Sequence, residues 1–305
     1  MAVLTTLFFA ISFVLARRIE NEATPILQNT IRSIVGFITF LIICLSFGVF
    51  LKIFSLSILL ILILSISILF TVIIGDTAYL QSQKILGPAK ALAITTTTPF
   101  FTILFAVIFL NRSISVQMIL SGIIIGIGVI TITKEEVNDS NDKKSTQKEL
   151  SKVHLSKVFK GALLALITAI SWAIGVALTD YSINQVDQIL NLGVLSTMIA
   201  MAVRFLFASV SLSMIAVIQR KRTPIPKSRN TWIILLISAF LSYSIGSIFF
   251  GEAVHTAGAI FMSLISTAMP LFTIPFSYLI NKEKLSKRGY IGVITTLIGV
   301  TMILF

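Results

Sequence analysis

Long runs of Ile, Leu, Phe, Val and Ala alternate along the chain with short clusters of Lys, Arg, Asn and Ser. The runs have the length at which a helix crosses a hydrocarbon layer of about 30 Å, roughly 20 residues each. Taking the charged clusters as boundaries predicts ten spans, over residues 2–16, 28–50, 54–78, 89–110, 114–133, 161–179, 190–218, 231–253, 257–280 and 288–305. The first is short and calls for tilt or local thinning, and the seventh is long enough to tilt. Residues 134–160, rich in Lys, Asp, Glu, Ser and Asn, read as a polar, mobile linker. The expected fold is an all-α polytopic membrane protein with one five-helix unit over 1–133 and a second over 161–305.

Composition removes the main alternative. Of 305 residues, 56% are hydrophobic and only 12% are charged, with a mean hydropathy of +1.00. A soluble domain carries about 25% charged residues, so a solvated surface cannot be built from this supply. The net charge of +12 follows from basic residues gathering in cytoplasmic loops. No basic stripe is interleaved with aromatics, which argues against nucleic acid. Cys44 is the single cysteine, and His154 and His255 lie far apart, so neither a disulfide nor a metal-ligand spacing is expected. There is no Walker motif, and no cofactor is expected. The start of the chain has no basic leader or A-x-A-like site before Arg17 and reads as a first span.

The two halves repeat. A shift of 171 residues lays Gly75 on Gly246, Thr96 on Thr267, Pro99 on Pro270, Phe101-Thr102-Ile103 on Phe272-Thr273-Ile274, Phe105 on Phe276, Ser115 on Ser286 and Gly128-Val129 on Gly299-Val300. Earlier, Ala10-Ile11-Ser12-Phe13 resembles Ala169-Ile170-Ser171-Trp172, and Arg32 resembles Arg204. Five spans per half is an odd number, so the second half inserts upside down relative to the first, as in many secondary transporters.

Further residues carry a family resemblance. Pro99-Phe100-Phe101 and Pro270-Leu271-Phe272 each end a small-residue run in the fourth span of a half, and Glu283-Lys284-Leu285-Ser286 follows the second. Both halves resemble the EamA domain of the drug/metabolite transporter superfamily over nearly the whole chain. That family has a Pro-x-Phe in its fourth span, then a G-E-[RK]-[LI]-S turn and a glycine-rich fifth span. The first copy departs from it, because Arg112 stands where glutamate is usual. Trp172 resembles the aromatic position in the family's first span. The resemblance implies a ten-helix carrier or exporter of small metabolites with its site between the halves, and termini in the cytoplasm. Loop charges point the other way. Twenty basic residues, including seven linker lysines, fall on the linker side and only Lys52 and Arg112 on the side of the termini. The charge count therefore predicts a cell-membrane protein with a cytoplasmic linker and both termini outside.

Several residues are candidates for a substrate or ion pathway. Pro99 and Pro270 lack the N–H that would bond the carbonyls of Thr95 and Ser266, and threonine and serine hydroxyls at those turns can replace it. The two kinks either line a central cavity or merely bend their helices. Asp76 and Glu252 are the carboxylates within reach of the membrane, able to bind a substrate amine or to carry a coupling proton, unless they sit at the interface. Glu252 aligns with Gln81. Arg32 and Arg204 either hold a substrate carboxylate or phosphate, neutralise Asp76 or Glu252, or snorkel to lipid phosphate. Trp172, Tyr79 and Tyr243 are either cavity walls or interfacial anchors. Gly122 and Gly126 form a G-x-x-x-G pattern for close helix packing, between halves or in a homodimer.

The function this supports is a secondary transporter, an exporter or exchanger, that moves a small polar metabolite such as an amino acid by alternating access, with protons as the candidate coupling ion. The alternative is a non-transporting membrane scaffold or lipid-handling protein. An enzyme is not expected. Gly75-Asp76 lacks the fuller Gly-x-Gly-Asp pattern because position 73 is Ile73, nothing makes Asp180 face Asp76, and no hydrolase motif occurs.

Overall fold

In the computed structural model, some helices start on side-chain caps that the sequence carries. The structure describes residues 1–86, 88–95, 97–110, 115–117, 119–124, 126–128, 131, 148–221, 223–281, 291–292, 294–295, 298–299 and 302. Helix α1 (Ala2–Arg18) ends on Arg17 and Arg18, which suit the negative end of the helix dipole. Helix α2 (Pro25–Ser46) starts on Thr24, whose hydroxyl accepts from the Leu27 N–H at 3.3 Å, with Pro25 where no N–H is needed. Ser57 caps α3 (Ile58–Ile68) in the same way, at 3.2 Å from the Leu60 N–H. There follow a π-helical segment (Leu69–Asp76), α4 (Thr77–Leu86), α5 (Pro88–Thr95) and α6 (Thr98–Leu110). The second half contains α7 (Lys148–Leu190), α8 (Val194–Ile218), α9 (Arg229–Ala239), a second π segment (Phe240–Gly246), α10 (Ser247–Ser266) and α11 (Met269–Asn281).

Among the described residues there is no strand. Five helical stretches are long and apolar enough to cross a membrane: Pro25–Ser46, Ile58–Leu86, Phe159–Leu190, Val194–Ile218 and Arg229–Ser266. The surface is apolar, and the interior mixes apolar side chains such as Phe40, Leu64 and Ile199 with many small polar ones. Ile38, Ile42, Leu59, Val210, Met214 and Leu236 face outwards, whereas Ser12, Asn29, Thr30, Ser33, Ser238 and Ser242 are buried. Water would penalise that distribution and lipid favours it.

Four sequence expectations change. The linker expected over 134–160 is helical from Lys148 onwards, because α7 begins there. Residues 134–147, the turn around Arg112 and the Glu-Lys-Leu-Ser turn lie outside the described residues. The sixth span does not end at 179. Helix α7 continues to Leu190, since Asp180 and Ser182 turn inwards and are buried. The gap expected at 254–256, between the eighth and ninth spans, is helical, and the interruption comes instead at Gly258, with φ of 84° and ψ of 169°. The fourth and ninth spans are each broken rather than merely bent, between Thr95 and Thr98 and between Ser266 and Met269.

The halves exchange partners. Helix α7 packs on α3, the first π segment and α4, and α1 packs on α9, the second π segment, α10 and α11. Helices α2 and α8 lie against each other, with Phe40 stacked on Phe205 at 5.5 Å between ring centroids. Each first helix thus rests on the third of the opposite half. At one end of the bundle Arg17 pairs with Glu20 at 2.7 Å, the Lys84 ammonium donates to the Glu20 carbonyl at 3.0 Å, and the Thr231 hydroxyl donates to Glu22.

Candidate functional site

The two π segments begin at Leu69 and Phe240, 171 positions apart, the same shift that aligns the fourth spans. A π turn carries an extra residue and widens the helix, and such turns gather at functional sites. At their ends Gly75 and Gly246 admit aromatic rings from the opposite half. A Cβ on Gly75 would lie 2.5 Å from the Trp172 ring, and one on Gly246 would lie 2.9 Å from the Phe9 ring. Between the π segments is a cavity of about 100 Å³ whose walls include Phe13, Arg32, Asp76, Trp172, Arg204 and Tyr243. A single water needs about 10–15 Å³ of such space, so the cavity admits a small solute or several waters. A smaller chamber of about 40 Å³ shares Thr98, Trp172 and Ser266 with it and reaches Thr95, Thr267 and Pro270.

Asp76 closes the first π segment and is only 8% exposed. Its Oδ1 accepts from the Trp172 indole N–H at 2.8 Å and its Oδ2 accepts from the Tyr243 hydroxyl. The Tyr243 ring lies under the guanidinium of Arg32, 4.3 Å from centroid to Cζ. Arg32 is fully buried and every guanidinium nitrogen is engaged. Its Nε and Nη2 donate to the Ser242 hydroxyl at 3.2 and 3.1 Å, Nη2 also donates to Ser12 at 3.1 Å, and Nη1 donates to Asn29 Oδ1 at 3.2 Å. A buried cation with these hydroxyls, an amide oxygen and a ring face is well satisfied.

Arg204 repeats this arrangement with fewer partners. Its Nη2 donates to the Thr71 hydroxyl at 3.1 Å, and Thr71 occupies in the first π segment the place of Ser242 in the second. Its Nη1 meets the Met201 sulfur at 3.2 Å, three residues back, where Arg32 has the Asn29 oxygen. The Phe250 ring is 5.8 Å away, and Nε has no partner among the described residues. Asp76 has no acidic counterpart, because Ser247 stands at the position 171 residues on.

The broken helices satisfy themselves locally. The Thr98 hydroxyl donates to the Thr95 carbonyl at 2.6 Å, replacing the N–H that Pro99 lacks. The Thr95 and Ser266 hydroxyls donate to the Leu92 and Met262 carbonyls at 2.9 and 2.8 Å.

Of the residues singled out in the sequence, Arg32, Asp76, Trp172, Arg204, Tyr243 and Ser266 meet at the cavity, and Thr95 and Pro270 line the chamber beside it. Tyr79 lies behind the wall, with its ring centroid 4.7 Å from that of Phe13 and 5.5 Å from that of Trp172. Pro99 is buried at the start of α6. Gln81 and Glu252 line neither space. Arg32, Arg204, Asp76, Tyr79 and Tyr243 are all buried among protein. The sequence reading missed Asn29, Thr71 and Ser242, although the 171-residue shift pairs the last two. It also missed Asp180, whose Oδ2 accepts from the Ala259 N–H at 3.0 Å just beyond the Gly258 break.

The sequence model of the EamA-like transporter family matches residues 1–134 and 159–305. Among solved structures 28 chains match. One of them, a crystal structure of a protein, has a TM-score of 0.74 over 99% of this chain and 94% of its own, at 12% identity, a likeness of fold. No curated protein matches the sequence.

Proposed function

The chain belongs to the EamA-like transporter family, and from that premise we propose that it is a secondary transporter of a small polar metabolite such as an amino acid. Two inverted five-helix repeats, ten spans in all, rock about the cavity and open it to each side in turn, and the cycle serves export or exchange. One observation carries the reading: both halves wall a single cavity, and three buried ionisable groups, Arg32, Asp76 and Arg204, line it. Charged groups in a membrane interior are costly and mark substrate and ion pathways. The matched π segments and the exchange of first helices between halves support a duplicated, two-body device. Asp76 is the candidate proton carrier. The loop charges support a cytoplasmic location for the polar segment between the halves.

The test is solute flux in proteoliposomes holding the purified full-length chain. Saturable, protein-dependent flux of at least one metabolite from an amino-acid and organic-acid panel is expected. Tight lipid or partner binding with no saturable flux would favour the scaffold alternative. Flux indifferent to imposed proton and sodium gradients would remove coupling and leave facilitated diffusion.

A further inference from the structure

We propose that Arg204 is the anion-binding group of the cavity, taking the carboxylate of an amphipathic substrate while the apolar wall takes the substrate's hydrocarbon part. This rests on the transporter reading and deepens it to a substrate class.

The argument starts from the contrast between the two arginines. Arg32 commits every guanidinium nitrogen to Ser12, Asn29 and Ser242 and its face to the Tyr243 ring, leaving one Nη1 hydrogen. Arg204 is 3% exposed and lines the same cavity, yet it holds one hydroxyl and one thioether sulfur, and its Nε is buried without a partner. No carboxylate among the described residues lies within ion-pair distance of it. A guanidinium in an apolar enclosure needs an anion or a full set of acceptors. The protein supplies one hydroxyl and one sulfur, and the unpartnered Nε lies on the edge that it shares with Nη2, where a carboxylate that displaced the Thr71 hydroxyl would bind through two parallel hydrogen bonds.

The surroundings define the rest of the ligand. Phe250, Val72, Phe205 and Met262 stand around Arg204 and the neighbouring wall. A sugar or a highly charged phosphate would lose more hydration there than these walls return, whereas an aliphatic or aromatic group would be covered. One incompletely partnered guanidinium among the described residues suits one carboxylate rather than two.

Thermal unfolding of the full-length protein in neutral detergent tests this, because a ligand that binds only the folded state raises the midpoint. The probes are phenylalanine, leucine and 3-phenylpropionate, with phenylalaninamide and leucinamide as partners lacking the carboxylate. The acids are expected to protect the wild-type protein and the amides are not, a comparison that needs no variant. In Arg204→Gln, protection by the acids should weaken by at least about 30-fold in apparent affinity. Arg204→Lys, which keeps the charge and loses the fork, should fall between. Protection by amides equal to that by acids, or acid binding undiminished in a folded Arg204→Gln protein, would overturn the assignment. If no acid binds while proteoliposomes carry a non-acidic solute saturably, the inference fails and the transporter stands. If nothing binds and nothing is carried, both fail.

Discussion

The Tyr243 hydroxyl donates to Asp76 from the opposite half of the chain, and the ring that carries it is sandwiched towards Arg32 at 4.3 Å. A carboxylate, a phenol and a guanidinium are thereby joined in order along the cavity wall. Among the described residues Asp76 has no direct ion pair and is held by two neutral donors and one cation beyond a ring.

Asp76→Asn keeps the shape of this cluster and removes its titratable oxygen. It is expected to abolish the proton dependence of flux while leaving a folded protein. The check is proteoliposome flux with and without an imposed pH gradient. Proton-driven accumulation that survives the substitution would remove Asp76 from the coupling path.

Tyr243→Phe takes a donor from a buried carboxylate and should destabilise the protein by about 1–3 kcal/mol. Its signature is a lower unfolding midpoint in detergent, partly restored when Asp76→Asn is added, since the neutral amide no longer needs the phenol. Strictly additive losses in the double variant would contradict the coupling.

Arg32→Gln should cost more, at least about 2 kcal/mol, because one guanidinium joins Ser12, Asn29, Ser242 and two aromatic rings. Arg32→Lys is not expected to rescue it, as a point charge on a flexible stem cannot fill the planar fork. Equal stability of the Lys variant and wild type would show that charge alone is required.

Gly75→Ala is a packing test. The added methyl would meet the Trp172 ring at 2.5 Å and the Phe70 carbonyl at 2.8 Å, so the ring must move, at about 1–3 kcal/mol. In a Trp232→Phe background the emission of Trp172 should shift. Gly246→Ala, whose nearest contact is the Phe9 side chain at 2.9 Å, should be milder.

Asp180→Ala removes the acceptor at the Ala259 N–H and should lower stability by about 0.5–2 kcal/mol, as for loss of a helix cap. Gly258→Ala is strained by its φ of 84° and should be worse than Asp180→Ala. Thermal midpoints of the two variants decide the order.

Much of the fold was legible because hydrophobic run length and loop charge act locally. Pro99 and Pro270 marked the helix breaks for the same reason, since a missing N–H is a property of one residue. The repeat shift already contained the matched arginine acceptors Thr71 and Ser242, though a hydroxyl in an apolar run carries no mark of its partner. What the sequence hid was depth. Charge and hydropathy look alike for an arginine that snorkels and for Arg32, which is fully buried. Glu252 and Asp76 likewise looked equivalent, and only the packing of α7 and the second π segment sets Asp76 on the cavity and Glu252 off it. The sixth span is expected to end at 179 because the carboxylate of Asp180, the next residue, is costly in hydrocarbon. The structure instead turns it inwards to the break at Gly258.

Ser247 in the place that duplication would have given a second aspartate leaves the enclosure electrically lopsided. In the proposed carrier, a guest with unlike ends would have one preferred heading inside, and would leave head first on one side and tail first on the other.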